Sequence, residues 1–346
     1  MEASAVPVSR GRSAIERSPL AKLPDKALRY GLTGLAVLIL ALLAYFFIRL
    51  IGDSLDVFRH QGVLQFLFSN DWNPARNIYG GWPLVLGTLI TSGIALLIGI
   101  PVAIATAVAV TELCPARIRP VLAMLLDLLA AVPSVVYGLW GVFVLIPNLK
   151  GFQQWLADTF SFIPFFSGTV AGPSYFIAGL ILAIMILPIV SAVSREVIAT
   201  VPSELKEGSL ALGATRWEMI RMAVLPYSRA GITGAAMLGL GRAIGETIAV
   251  TLVIGNALTV GGSFFQQGYT LAAVIANEFG EAAATPLHRS ALFAAGLVLF
   301  VLTLLVNLVA RQYVVRATRR SSHRGGTEPP AEGALASAVM QSAQLP

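Results

Sequence analysis

Long apolar runs constrain this chain more than any other feature. Six segments, 30–51, 82–110, 120–146, 175–193, 231–258 and 290–309, are dominated by apolar residues. Each reaches about the 20 residues that a helix needs to cross a bilayer. A peptide group facing lipid has no water to bond, so a spanning segment must satisfy its own backbone, as a helix does. A membrane barrel would instead alternate apolar and polar residues in segments of about 10, and that alternation is absent. Charged residues make up only 12% of the chain, against about 25% in soluble domains. The expected fold is an all-α membrane protein with six transmembrane helices.

The segments divide the chain into a basic tail over 1–29, a transmembrane body over 30–313 and a tail over 314–346 rich in Gly, Pro, Ala and Ser. Both tails have the composition of disordered chain. No small-residue cleavage site follows the first apolar run, so it is expected to stay as an anchor. Lys and Arg number eighteen on one side of the six-span arrangement and five on the other, counting Arg49 at the end of the first segment with the five, which leaves Arg242 alone inside a span. The positive-inside rule then places both termini and the 194–230 loop in the cytoplasm. This distribution accounts for the net charge of +6 without nucleic acid as a partner. Cys114 is the single cysteine, which excludes an intrachain disulfide, and His60, His288 and His323 lack ligand spacing and read as ordinary loop or tail residues.

The 194–230 loop carries Glu207 to Pro226, EGSLALGATRWEMIRMAVLP. It reads as two short helices. Ser203 is placed to cap the first, with Glu204 and Glu207 where the helix dipole favours acids. Gly213 supplies the break. Thr215 and Glu218 form a T-x-x-E capping box for the second helix. Leu225-Pro226 is expected to close the element, since proline does not extend a helix interior. A polar, capped, hinged pair between two spans suits docking to a cytoplasmic partner or a solvated connector.

Arg242 and Glu246 lie in the fifth span. Counted from Gly231, Arg242 is roughly 16 Å deep at about 1.5 Å per residue, near the bilayer centre. A charge there costs about 2.5–3.5 kcal/mol on insertion scales. On a continuous helix the two would share a face and pair, in the weaker Arg-first order. Small residues around them (Gly231, Gly234, Gly239, Gly241, Gly245) suit close approach of a helix or a solute. Such a pair either locks helix packing alone or lines a polar path, and an arginine lining a path suits an oxyanion, because its fork matches phosphate oxygens. Asp127 is a second charge within a span, placed to line the path, to pair with Arg242 or to sit hydrated at the interface. Pro101, Pro133 and Pro188 interrupt spans, either as ordinary kinks or, after Pro133, as a helix restart that would present its positive end to an anion.

Glu207, Gly213, Leu225 and Pro226 stand at the spacing of the cytoplasmic loop motif of ABC-importer permeases, with Gly208, Ser209 and Ala223 replacing its usual residues. The stretch Gly-Arg-Ala-Ile-Gly-Glu-Thr-Ile-Ala-Val, 241–250, narrows the resemblance to PstC-type permeases of the bacterial phosphate ABC importer, together with Asp127, Pro133-Ser134, Gly138 and Gly87-Thr88. The resemblance covers about 30–313. It implies the type I ABC importer permease fold with a cytoplasmic coupling helix in the bacterial inner membrane. It also implies coupling to an ATPase through Glu207, Gly208, Gly213, Thr215, Leu225 and Pro226, and a phosphate path at Arg242, Glu246, Asp127, Ser134 and Thr247. The implied partners are a PstA-like permease, a PstB-like ATPase dimer and a PstS-like phosphate-binding protein, in membrane lipid. No G-x-x-x-x-G-K-[ST] loop occurs, so ATP would be used by partner subunits, and this chain is expected to bind no cofactor and catalyse no reaction. Other readings compatible with the residues are a permease for molybdate or sulfate, a membrane scaffold reporting phosphate status, and an ion channel.

Overall fold

The computed structural model describes the backbone of residues 23–258 and 262–322 and the side chains of 28–258 and 262–312. The two tail expectations therefore fall largely outside the described residues. The elements, in order, are α1 (Leu23–Gln61), α2 (Val63–Phe68), a two-residue hairpin β1 (Trp72–Asn73) and β2 (Ile78–Tyr79), α3 (Trp82–Val108), α4 (Arg119–Ala130), α5 (Ser134–Trp140) and α6 (Ile146–Thr159). Then come α7 (Tyr175–Ala199), α8 (Ser203–Ala211), α9 (Arg216–Met219), α10 (Leu225–Gly245), α11 (Ile248–Ile254), α12 (Leu271–Ala282) and α13 (Pro286–Ser322). Among the described residues, five helical segments are long and apolar enough to cross a membrane, and a pair bent by 61° between Gly245 and Ile248 brings the number to six where it is counted as one span. The fold is all-α, as expected.

The chain divides into Met1–Gly52 and Asp53–Pro346. In the first unit α1 carries Leu35, Leu38, Tyr45 and Phe46 exposed, the surface of a helix made for an apolar medium. In the second unit α7 is the most buried span. Its Ile177, Ile181, Leu182, Met185, Ile186 and Val190 build the main core with residues of α3, α5, α10 and α11. Between helices in lipid the gain comes from close packing, since the tails are as apolar as leucine. Small residues make that packing possible. A Cβ on Gly231 or Gly239 of α10 would fall 2.4 Å and 2.6 Å from valines 197 and 190 of α7. Gly234, Gly241 and Gly245 have nothing within 4 Å of that position. The glycines of this helix thus divide into a packing face and an open face.

Prolines shape the spans in two ways. Wide π turns at Ala109–Leu113, Gly141–Leu145 and Ile220–Val224 each end two residues before a proline, at 115, 147 and 226. The residue ahead of each proline donates five residues back: Cys114 to Ala109, Ile146 to Gly141 and Leu225 to Ile220. Proline has no N–H, and its ring crowds the carbonyl four residues earlier, so a widened turn relieves the conflict. Pro226 therefore does not close the docking element. The helix continues from Arg216 through the π turn into α10, a correction to the expected stop at Leu225-Pro226. Pro101 and Pro188 sit inside unbroken α3 and α7. Of the three prolines expected to interrupt spans, Pro133 alone separates two helices, α4 from α5. The 12-residue α4 is too short to span, and the crossing helix runs over Ser134–Thr159 rather than 120–146.

The segment between α11 and α12 folds back over the ends of α3 and α7. The Phe176 N–H donates to Phe264 O at 2.9 Å, and the Phe264 N–H to Phe165 O at 2.8 Å. The Leu271 N–H donates to the Thr88 hydroxyl at 3.1 Å. A Cβ on Gly87 would lie 2.0 Å from the Tyr269 carbonyl oxygen. Gly87-Thr88 is therefore a docking notch for this segment. Nearby, Glu278 of α12 accepts from Trp72 Nε1 and bonds His288 Nε2, both at 2.9 Å. His288 is buried and stacks on Tyr79, so it is a core residue and not the ordinary loop residue expected. Burial, with Glu278 and Glu281 adding to it, pushes the Tyr269 hydroxyl up to about 12, while its bond from Asn277 opposes the shift.

Candidate functional site: a broken span and a docking loop

Arg242 occupies the last turn of α10, which ends at Gly245. Glu246 is extended (φ −71°, ψ 130°), and α11 begins at Ile248 after Thr247. The expected shared helix face for Arg242 and Glu246 does not exist, because the helix breaks between them. The Glu246 carboxylate instead accepts from the Ala249 N–H at 3.4 Å, in the first turn of α11, where free N–H groups and the dipole favour an anion. Among the described residues, nothing accepts a hydrogen bond from the buried Arg242 Nε. The Thr247 hydroxyl donates to Gly245 O at 3.3 Å and bridges the break.

Ser134 is the first residue of α5, directly after Pro133. The broken span meets the start of the Ser134–Thr159 helix here, because α5 and α11 pack together. A Cβ on Gly138 would lie 3.0 Å from Ala249 Cα. Gly138 and Ala249 each lie within about one turn of the start of their helix, so the two starts lie side by side. Tyr137, which the sequence reading did not single out, donates its hydroxyl to Leu129 O at 2.8 Å and staples the α4–α5 break. It lies within electrostatic range of Arg242. The structure thus brings Arg242, Glu246, Thr247 and the start of α5 to one level of the fold.

Asp127 is not part of that cluster. Its carboxylate pairs with Arg195 of α7 at 2.8 Å and is 62% exposed. The alternative pairing with Arg242 is therefore not made. The charge that answers Asp127 could have been sought at the end of the fourth span, where Arg195 follows a run of apolar residues.

In the docking loop, α8 starts at Ser203 with Pro202 as its flanking residue and no side-chain cap. The expected Ser203 cap is not formed, because Ser203 already has helical geometry. Glu204 lies in the first turn, as expected. Glu207 and Gly208 are exposed on α8. Gly213 has φ +87°, a region that costs other residues about 1–2 kcal/mol. Its N–H donates to Leu210 O at 2.9 Å, and the Ala214 N–H donates to Ser209 O at 3.2 Å. These two bonds are a Schellman closure of α8. The Thr215–Glu218 capping box is present in both directions, at 3.3 Å and 2.7 Å. Leu225 and Pro226 open α10.

Residues 99–320 match the family described as binding-protein-dependent transport system inner membrane component. The phosphate transport system permease protein PstC of Mesorhizobium japonicum is 45% identical over 291 residues, covering 83% of this chain and 88% of that relative. This chain belongs to the PstC permease family. The PstC protein of Haemophilus influenzae is 42% identical over 81% of this chain and 90% of its own length. A probable PstC protein of Methanocaldococcus jannaschii is 38% identical over 83% and 91%. Among solved structures, a chain of a bacterial alginate ABC transporter, in complex with an alginate pentasaccharide-bound periplasmic protein, matches with a TM-score of 0.58 at 19% identity. That match covers 86% of this chain and 98% of the other. A second alginate importer structure matches with a TM-score of 0.51 at 20% identity, over 86% and 99%. These likenesses bear on the fold, which is that of a type I ABC importer permease.

Proposed function

We propose that this chain is the transmembrane permease subunit of an ATP-driven importer that moves inorganic phosphate into the cytoplasm. Both termini and the docking loop lie on the cytoplasmic side. A PstA-like permease completes the membrane path, a PstB-like ATPase dimer hydrolyses ATP against α8, and a PstS-like protein delivers phosphate from outside. The names of the relatives support the substrate, and the Lys and Arg asymmetry supports the orientation.

The observation that carries the phosphate path is the buried, unanswered Arg242 Nε at the level where two helices begin. An arginine held without a full set of acceptors has hydrogen bonds to give to an oxyanion. Glu246, at the start of α11, keeps that positive end occupied when phosphate is absent and offers an acceptor to a protonated phosphate. Asp127 holds α4 to α7 through Arg195, and Ser134 and Thr247 line the two breaks. Glu207, Gly208, Gly213, Thr215, Leu225 and Pro226 form the surface and joints that follow the ATPase.

Labelled-phosphate uptake in cells lacking the gene tests the reading. Wild type restores ATP-dependent uptake, and Arg242→Gln at equal membrane level does not. Normal uptake by Arg242→Gln overturns the path assignment. Restored uptake of molybdate or sulfate in place of phosphate moves the substrate to another oxyanion.

A further inference from the structure

The docking loop must be mechanically attached to the membrane body, and α8 provides little apolar attachment. None of its residues is buried, and Leu205, Leu210 and nearby Leu212 are exposed. One polar contact stands out. Lys206 Nζ donates to Glu112 Oε1 at 2.7 Å, and the side chains are only 22% and 8% exposed. Glu112 belongs to the π turn Ala109–Leu113 that ends α3. Below it lies a small core of Ala107 and Val108 from that same helix with Ile198, Val201, Met219, Ile220, Val224 and Ile232. The pair therefore joins the first helix of the docking loop to the end of a different span, 94 residues away in sequence.

We infer that Lys206–Glu112 is a force-transmitting link that makes α3 follow α8 during the transport cycle. This rests on the proposed importer function and adds positioning residues that the coupling motif does not contain. The docking loop already reaches α10 through covalent helix, because Arg216–Gly245 is continuous apart from the π turn. It has no such route to α3. The largely buried Glu112 carboxylate holds a short charge-assisted bond, stronger and more directional than a solvated surface pair. π turns are rare insertions in α-helices and are frequent at functional sites. The link thus grips α3 at the π turn that ends it.

The test uses the complete importer in proteoliposomes with phosphate-loaded binding protein inside its normal cycle. ATP hydrolysed and phosphate imported are measured together for wild type, Glu112→Gln, Lys206→Gln and the swap Glu112→Lys with Lys206→Glu. The expected result is that each single variant assembles and hydrolyses ATP, while phosphate imported per ATP falls about tenfold, the order for losing one charge-assisted hydrogen bond. The swap restores most of that ratio. Single variants with an unchanged ratio overturn the inference. So do variants whose hydrolysis and import fall in proportion with assembly and are not rescued by the swap, which is the behaviour of a pair that only stabilises packing. A wild-type complex that hydrolyses ATP but moves no phosphate overturns the proposed function, and this inference with it.

Discussion

Replacing Gly87 by alanine places a methyl group 2.0 Å from the Tyr269 carbonyl oxygen. Carbon–oxygen contacts normally lie at about 3.3–3.6 Å, so the backbone of that segment must retreat by more than about 1 Å. Overpacking of this kind costs about 1–3 kcal/mol. The atom in the way is backbone, and the adjacent Leu271 N–H bond to Thr88 is lost as the segment moves, so the upper end applies. Alanine regains about 1 kcal/mol of helix propensity over glycine, leaving a net loss of about 2 kcal/mol. Gly93, on the same helix, has nothing within 4 Å of its Cβ position. Gly93→Ala should therefore gain about 0.5–1 kcal/mol. Thermal unfolding of both variants in one detergent, followed by tryptophan fluorescence, gives the comparison. If Gly87→Ala melts with or above Gly93→Ala, the close approach of Tyr269 to α3 is not what holds this segment in place.

Gly213→Ala strains the turn at φ +87° by about 1–2 kcal/mol, and should lower phosphate uptake at unchanged membrane level. Normal uptake would show that the turn tolerates a side chain. Tyr137→Phe removes the bond to Leu129 O and should cost about 1 kcal/mol in thermal stability, with an unchanged midpoint counting against the staple. Tyr269 has its hydroxyl raised from 10.0 to about 12. Its contribution is therefore complete below pH 10 and disappears as pH rises through about 12. The midpoint of unfolding should fall across that window in wild type and fall less in Tyr269→Phe. Parallel profiles would refute the burial argument.

The apolar runs gave the all-α membrane class because spanning a bilayer leaves little choice of structure. They did not give where helices begin and end. Pro226 reads as a stop, and only the wide turn before it turns the stop into a continuation. Pro133 reads the same way and does break the chain, at a point where Tyr137 compensates the loss. The docking turn was legible in detail, since Gly213 and the Thr215–Glu218 box act through bonds within a few residues. The pairings of Asp127 with Arg195 and of Glu112 with Lys206 were not, because they link positions 68 and 94 residues apart. The same limit applies to His288, which has no local sign of its partner Glu278.

The helical path from Arg216 to Gly245, continuous through its π turn, makes the docking loop and Arg242 two ends of one lever. At about 1.5 Å per residue, Arg216 and Arg242 are about 39 Å apart along it. A tilt of roughly 5° about the loop end sweeps the arginine by roughly 3 Å. A hydrogen bond loses most of its strength over a far smaller displacement. On the proposed phosphate path, small rotations at the docking loop are thus enough to give the guanidinium to an anion or withdraw it, without any rearrangement of the helix that carries it.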